Sequence, residues 1–130
     1  MKCLDTDLLF AILRGKPETQ TIVEELDREG KAATTSVNAF EIYFGANKSD
    51  QKNQNVKETS KLLERLAVFP LDLNSSRRAA EISAKLVAKG ETIDFRDSMI
   101  AAIVIENDLT LFTRNKAQFK RIKELKIEVW

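Results

Sequence analysis

The stretch FRDSMIAAIVIENDLTLFT, residues 95–113, carries two patterns end to end. From Phe95 to Glu106, apolar residues recur at helical spacing, with Asp97, Ile100, Ala101 and Val104 on one stripe. That is the i, i+3, i+4, i+7 signature of a helix buried along one face. Asn107-Asp108 then reads as a turn, and Thr110 to Thr113 as a short strand. A helix that hands over to a strand through so short a turn is half of a strand–helix–strand unit. At the head of the buried stripe stands an aspartate. A carboxylate there is costly unless it is paired, hydrogen-bonded or bound to a metal.

Working outward, the same alternation fills the chain. Residues 2–5 read as a strand ending on an acid, with Thr6 as N-cap of a helix from Asp7 to Arg14 that Gly15 closes. Pro17 and Glu18 open a second helix with Ile22, Val23 and Leu26 on one face and Gly30 as its stop. Ala32 to Thr35 form the second strand, and Ser36 caps a third helix over Val37 to Asn47. The polar stretch from Ser49 to Thr59 is either mobile or a solvated helix face, leading into a helical stripe of Leu62, Leu63 and Leu66. Val68 to Leu71 is a strand broken by Pro70, hence an edge. A helix follows from Asn74 to Lys89, with Ala79, Ile82, Leu86 and Ala88 on or near its inner face. Past the opening stretch come a basic helical turn, Lys116 to Lys123, and a closing strand, Ile127 to Trp130. The order predicts an α/β fold: a mainly parallel central sheet of about five strands flanked by helices, one domain over residues 1–130.

Composition narrows the chemistry. Twenty-one basic residues oppose twenty acidic ones for a net charge of +1, so any nucleic-acid binding must rest on local charge. The absence of histidine excludes a catalytic triad, an imidazole proton shuttle and any histidine-ligated metal. The single cysteine, Cys3, cannot form an intramolecular disulfide and reads as a buried thiol. Asp5 and Asp7 spoil the N-terminus as a signal peptide, and no run approaches the about 18 apolar residues of a membrane span. A cytoplasmic protein is expected.

The acids are placed for a site. Val37, Phe40, Glu41 and Phe44 share one helical stripe, which points Glu41 along a buried face. In open parallel sheets, ligands bind beyond the carboxyl ends of the strands. Asp5, Glu41, Thr113 and Asn115 gather there, and Asp97 joins if the N-terminus of its helix faces the same edge. Converging carboxylates raise one another's pKa. Divalent cations relieve that repulsion, and oxygen-only ligands suit Mg²⁺ or Mn²⁺. Metal-assisted phosphodiester hydrolysis needs such a cluster, here expected to close within one ion's reach. Each acid also has a plainer role: Asp97 complementing a helix dipole, Asp94 as its N-cap, Glu41 pairing with a buried arginine, Asp5 in a turn with Asp7.

At these residues the chain resembles the PIN-domain family, in particular its VapC-type ribonuclease toxins. Leu4-Asp5-Thr6-Asp7 is similar to the family's opening element, and Thr35-Ser36-Val37 with Glu41 and Gly45 to its second acidic element. Asp97-Ser98-Met99-Ile100-Ala101-Ala102 resembles the third, and Leu111-Phe112-Thr113-Arg114-Asn115 with Phe119 the last. The closing Ile127-Glu128-Val129-Trp130 is similar to a VapC ending. The resemblance spans the chain and implies a three-layer PIN-like fold and an endoribonuclease that uses Mg²⁺ or Mn²⁺. It implies Asp5 and Asp97 as principal metal ligands, Glu41 as third acid, and Thr6 and Thr113 in support. Asn115 takes a fourth position where many members carry Asp, which leaves one negative charge fewer. An RNA substrate, a co-expressed antitoxin that covers the site and a homodimer are implied as well. The basic residues Arg114, Lys116, Lys120, Arg121 and Lys123 lie beside Asn115 in sequence. Arg114 and Lys116 lead among them as RNA contacts, although a solvated helix face reads equally well. Arg77 and Arg78 read as plain surface charge. Two other functions fit parts of the pattern. Asp5-Thr6-Asp7 is similar to the nucleophile loop of haloacid-dehalogenase-type phosphatases, with Leu9 where Thr or Val is usual. A PIN-like scaffold that binds a partner without catalysis is the other.

Overall fold

Strand β1 (Lys2–Leu4) lies at the centre of a five-stranded sheet, in a computed structural model that describes residues 1–130. The remaining elements, in chain order, are α1 (Thr6–Leu13), α2 (Glu18–Glu29), β2 (Ala33–Thr35), α3 (Ser36–Lys48), α4 (Lys52–Glu64) and β3 (Ala67–Phe69). They continue with α5 (Leu73–Ala88), α6 (Phe95–Glu106), β4 (Thr110–Thr113), α7 (Lys116–Phe119) and β5 (Ile127–Val129). The strand order is β3-β2-β1-β4-β5, and every pairing is parallel. The expected α/β architecture is therefore present, with β3 at one edge.

Successive strand residues face opposite sides of a sheet, and this chain uses both. Cys3, Ala33 and Leu111 join Ile82, Leu86, Ile100, Val104 and Phe119 in one core, against α5 and α6. Leu4 and Phe112 join Leu8, Leu9, Leu26, Ile42 and Leu62 in the other, against α1 to α4. The result is three layers. Each fully buried side chain such as Leu8, Leu9 or Phe119 contributes roughly 1.5–3 kcal/mol of transfer free energy. Cys3 is buried in β1, and burial pushes its thiol well above the ordinary range.

Several local expectations need correction. Thr35, not Ser36, caps α3, because its hydroxyl accepts the Asn38 backbone N–H at 3.1 Å. Thr6 is the first residue of α1 rather than its cap, and the Asp5 carboxylate takes the Thr6 N–H instead. α5 begins at Leu73, ahead of Asn74, because Asp72 and Ser75 close a reciprocal capping box. The basic turn stops at Phe119, with Lys120 as its cap. The polar stretch around Ser49–Thr59 does enter a helix, α4, which turns Thr59 and Leu62 inward.

The largest correction concerns α3. Its inward side chains are Asn38, Ile42 and Ala46, whereas Phe40 is 59% and Phe44 52% exposed. The cap holds Asn38 inward, and steps of four residues then bring Ile42 and Ala46 beneath it. Phe40 and Phe44 stack on each other outside, ring centroids 6.0 Å apart. Glu41 is consequently half-buried at the border of the inward face, not in the middle of an apolar stripe.

Candidate active site at the carboxyl end of the sheet

Asp5 is the fixed point of the site. It follows β1, is buried, and both of its oxygens are engaged. Oδ2 accepts from the Thr113 hydroxyl at 2.6 Å, and Oδ1 accepts from the Thr6 backbone N–H at 2.9 Å and from the Asn38 amide at 3.1 Å. Burial lifts its carboxyl above the usual range, opposed chiefly by the bonds from Thr113 and Thr6. Parallel pairing of β1 with β4 places Leu4 beside Phe112, so the next residue along each, Asp5 just past β1 and Thr113 at the end of β4, meet at the same edge.

Asn38 is the residue that the sequence did not mark. It is fully buried, and its Nδ2 donates both to Asp5 and to the Thr6 hydroxyl, the latter at 2.9 Å. Its Oδ1 accepts from Thr35 Oγ1 at 2.6 Å. Thr6 in turn donates to Glu41 Oε1 at 2.8 Å. One amide therefore orients Asp5 directly and Glu41 through Thr6. A buried polar side chain is stable only when so satisfied, which a scan for apolar spacing passes over.

Asp97 stands in the first turn of α6, half-buried. Its carboxyl is pushed up to about 6, first by burial and then by the charges of Asp5, Asp94 and Glu41. The contact of Arg96 with Glu41, 3.5 Å apart, sets the N-terminus of α6 beside the acids of this edge. Asp94 is the N-cap of α6, as expected, accepting the Arg96 N–H at 2.9 Å. It also binds the Arg96 guanidinium, which donates through Nε at 3.2 Å and Nη2 at 2.8 Å. Those bonds hold the Asp94 carboxyl below its usual range. Arg96 Nη1 lies 3.5 Å from Glu41 Oε2.

The acids do not close within one ion's reach: no three of them are gathered in a geometry that could hold a metal. Three like charges repel, and the positive charge among them here is the Arg96 guanidinium, which is larger than an ion and reaches Glu41 from one side. The donor set itself suits a hard cation. It is oxygen-only, Asp5 is rigidly oriented, and Asp97 bears the strain of neighbouring negative charge that such a cation removes.

Asn115 lies exposed at the rim, tied in through its backbone N–H to the Thr113 hydroxyl at 3.0 Å. Asp7, given no place in the site by the sequence, bridges two elements: it accepts the N–H of Leu8 at 2.8 Å and of Arg114 at 3.1 Å. The basic cluster is contiguous in sequence but divided in space. The Arg114 guanidinium lies 3.6 Å from the Trp130 ring centre and 3.6 Å from Glu18. Arg121 is bound to the carbonyls of Gln118 and Thr92 and faces a hollow shared with Lys85, Lys89 and Lys123. Lys116 is exposed beside Asn115. Arg78 is surface charge that pairs with Glu106 at 3.3 Å.

A wholly parallel sheet with a hydrogen-bonded acid network beyond its central strand defines an α/β domain that groups carboxylates at the strand ends. The chain belongs to the PIN-domain family, whose model matches residues 2–125. It is 30% identical to Ribonuclease VapC2 of Rickettsia felis, over 98% of this chain and 96% of that protein. To the tRNA(fMet)-specific endonuclease VapC of Shigella flexneri it is 28% identical, with the same coverage of both. Among solved structures, DNA-bound VapBC from Salmonella typhimurium contains a chain that superposes with a TM-score of 0.91 at 28% identity, covering 99% of this chain and 97% of that one. VapBC2 from Rickettsia felis, bound to a promoter DNA fragment, gives a TM-score of 0.90 at 28% identity, with coverage of 99% and 98%. The family match displaces the haloacid-dehalogenase alternative.

Proposed function

We propose that the chain is a metal-dependent endoribonuclease and the toxin of a toxin–antitoxin pair. The observation that carries the proposal is the network Thr113–Asp5–Asn38–Thr6–Glu41, which presents two oriented carboxylates to the side where Asp97 is electrostatically strained. Asp5, Glu41 and Asp97 would hold Mg²⁺ or Mn²⁺, with Asn115 offering a neutral oxygen at the rim. The ion supplies positive charge for the phosphodiester and for water activation. The protein supplies orientation. Thr113 and Asn38 prevent Asp5 from rotating, and Thr6 holds Glu41, so the acids have only to draw together around an ion and Asp5 keeps its orientation. Of the basic residues beside Asn115, Lys116 is the one left to meet an RNA phosphate near this edge, since Arg114 is engaged by Trp130 and Glu18.

The names of the relatives, ribonuclease and tRNA endonuclease, support internal cleavage of RNA, and the VapBC complexes support an antitoxin partner. A homodimer is part of the same reading; the hollow between α5 and α6, lined by Leu71, Ala79, Ala80, Phe95 and Met99 with three serines, is a surface open to a second copy. The decisive experiment incubates purified protein with assorted RNAs in Mg²⁺, Mn²⁺ or EDTA. Fragments are expected with metal only, and none with Asp97→Asn. Intact RNA under every metal, or equal cleavage by Asp97→Asn, overturns the proposal.

A further inference from the structure

Arg96 is the one cation inside the acid cluster, and its guanidinium is only partly used. Of the five N–H donors of an arginine, Asp94 takes one on Nε and one on Nη2. That leaves three, two of them on Nη1, whose sole close charged neighbour is Glu41 at 3.5 Å. The plane of the group is fixed by the two-point contact with Asp94, and Asp94 is itself fixed as the cap of α6. The side chain is half open to solvent. A cation fixed from behind, with free donors in front and beside acids suited to a metal, is the arrangement that a phosphate group meets.

We infer that Arg96 is a catalytic residue that receives an RNA phosphate at this site, and that Asp94 is the positioning residue that aims it. The inference rests on the nuclease reading above. In the resting protein Nη1 neutralises Glu41. When RNA enters, a phosphate oxygen takes the free Nη1 donors while Nε and Nη2 stay on Asp94. The role of Asp94 is then double: it caps α6 and aims the guanidinium, so a substitution that preserves the first function can remove the second.

The test uses four variants of the full chain with two readouts, steady-state cleavage of an RNA in Mg²⁺ and fluorescence anisotropy of a labelled RNA oligonucleotide in EDTA. Arg96→Ala is expected to lower kcat/KM about 10- to 100-fold, the loss of charge-assisted hydrogen bonds, and to weaken RNA binding without metal. Arg96→Lys should rescue little, because an ammonium cannot make the two-point contact with Asp94. Asp94→Ser keeps a good N-cap, so its melting temperature should stay near wild type while kcat/KM falls about tenfold. Asp94→Ser combined with Arg96→Ala should be no worse than Arg96→Ala alone, since both remove one unit. An Arg96→Ala protein that binds and cleaves RNA within twofold of wild type overturns the assignment of Arg96. Asp94→Ser at wild-type activity overturns the role of Asp94. A wild type that neither cleaves nor binds RNA overturns the functional reading, and Arg96 with it, and is distinguished by needing no variant at all.

Discussion

Asp97 holds its negative charge against its surroundings. Its folded carboxyl sits at about 6, above the unfolded value of 3.8, so the folded chain binds that proton more tightly than the unfolded chain does. Ionisation of Asp97 therefore costs stability above pH 6, and the cost fades as pH falls through 6 toward the unfolded value. The full shift corresponds to about 3 kcal/mol; with solvent screening of a half-open group it reduces to about 1 kcal/mol. Asp97→Asn should accordingly melt about 4 °C higher than wild type at pH 7 in EDTA, with the gap closing near pH 4. Differential scanning fluorimetry reads both. Mn²⁺ should raise the wild-type melting temperature and leave that of Asp97→Asn nearly unmoved; equal shifts in the two proteins would remove Asp97 from the ligand set.

At the level of one element, α3 shows where sequence and structure part. Asn38→Ala removes three hydrogen bonds at once and leaves Thr35 and Asp5 short of partners, so urea denaturation should report a loss of about 2–3 kcal/mol, with activity falling as Asp5 is freed. Phe40→Ala, on the exposed side, should change stability by less than about 0.5 kcal/mol. Apolar spacing alone predicts the reverse order. The elements themselves were legible because helix and strand periods are local properties of a dozen residues, as in the Asp97–Ile100–Ala101–Val104 stripe. The Asp94 cap was legible for the same reason. The inward face of α3 was not, because it is set by an asparagine whose partners, Asp5 and Thr6, lie more than thirty residues away. Arg96 escaped notice likewise: nothing near it in sequence says that Glu41 will be its neighbour. Arg114 was taken as free because Trp130 and Glu18 come to it only through the folded sheet.

For the whole molecule, near-neutral charge combined with an acidic site makes its effect on a cell the broadest test. Expression without an inhibitor should arrest bacterial growth, and Asp5→Asn or Asp97→Asn should abolish the arrest at equal protein level. Equal arrest by all three would point to partner binding and favour the scaffold reading. The strand order adds a different kind of consequence. β4 is a late strand inserted between β1 and β5, and the hydroxyl that fixes Asp5 comes from Thr113, 108 residues further along the chain. While the ribosome is still short of that point, β1 has no partner on one side, and Asp5 is held by only part of its network. Until Thr113 has been made, a nascent chain lacks the hydroxyl that fixes Asp5, so the central strand emerges long before its end is set in place. Assembly of the edge thus waits on β4, and a chain stalled before Thr113 should leave the Asp5 carboxylate without its shortest hydrogen bond.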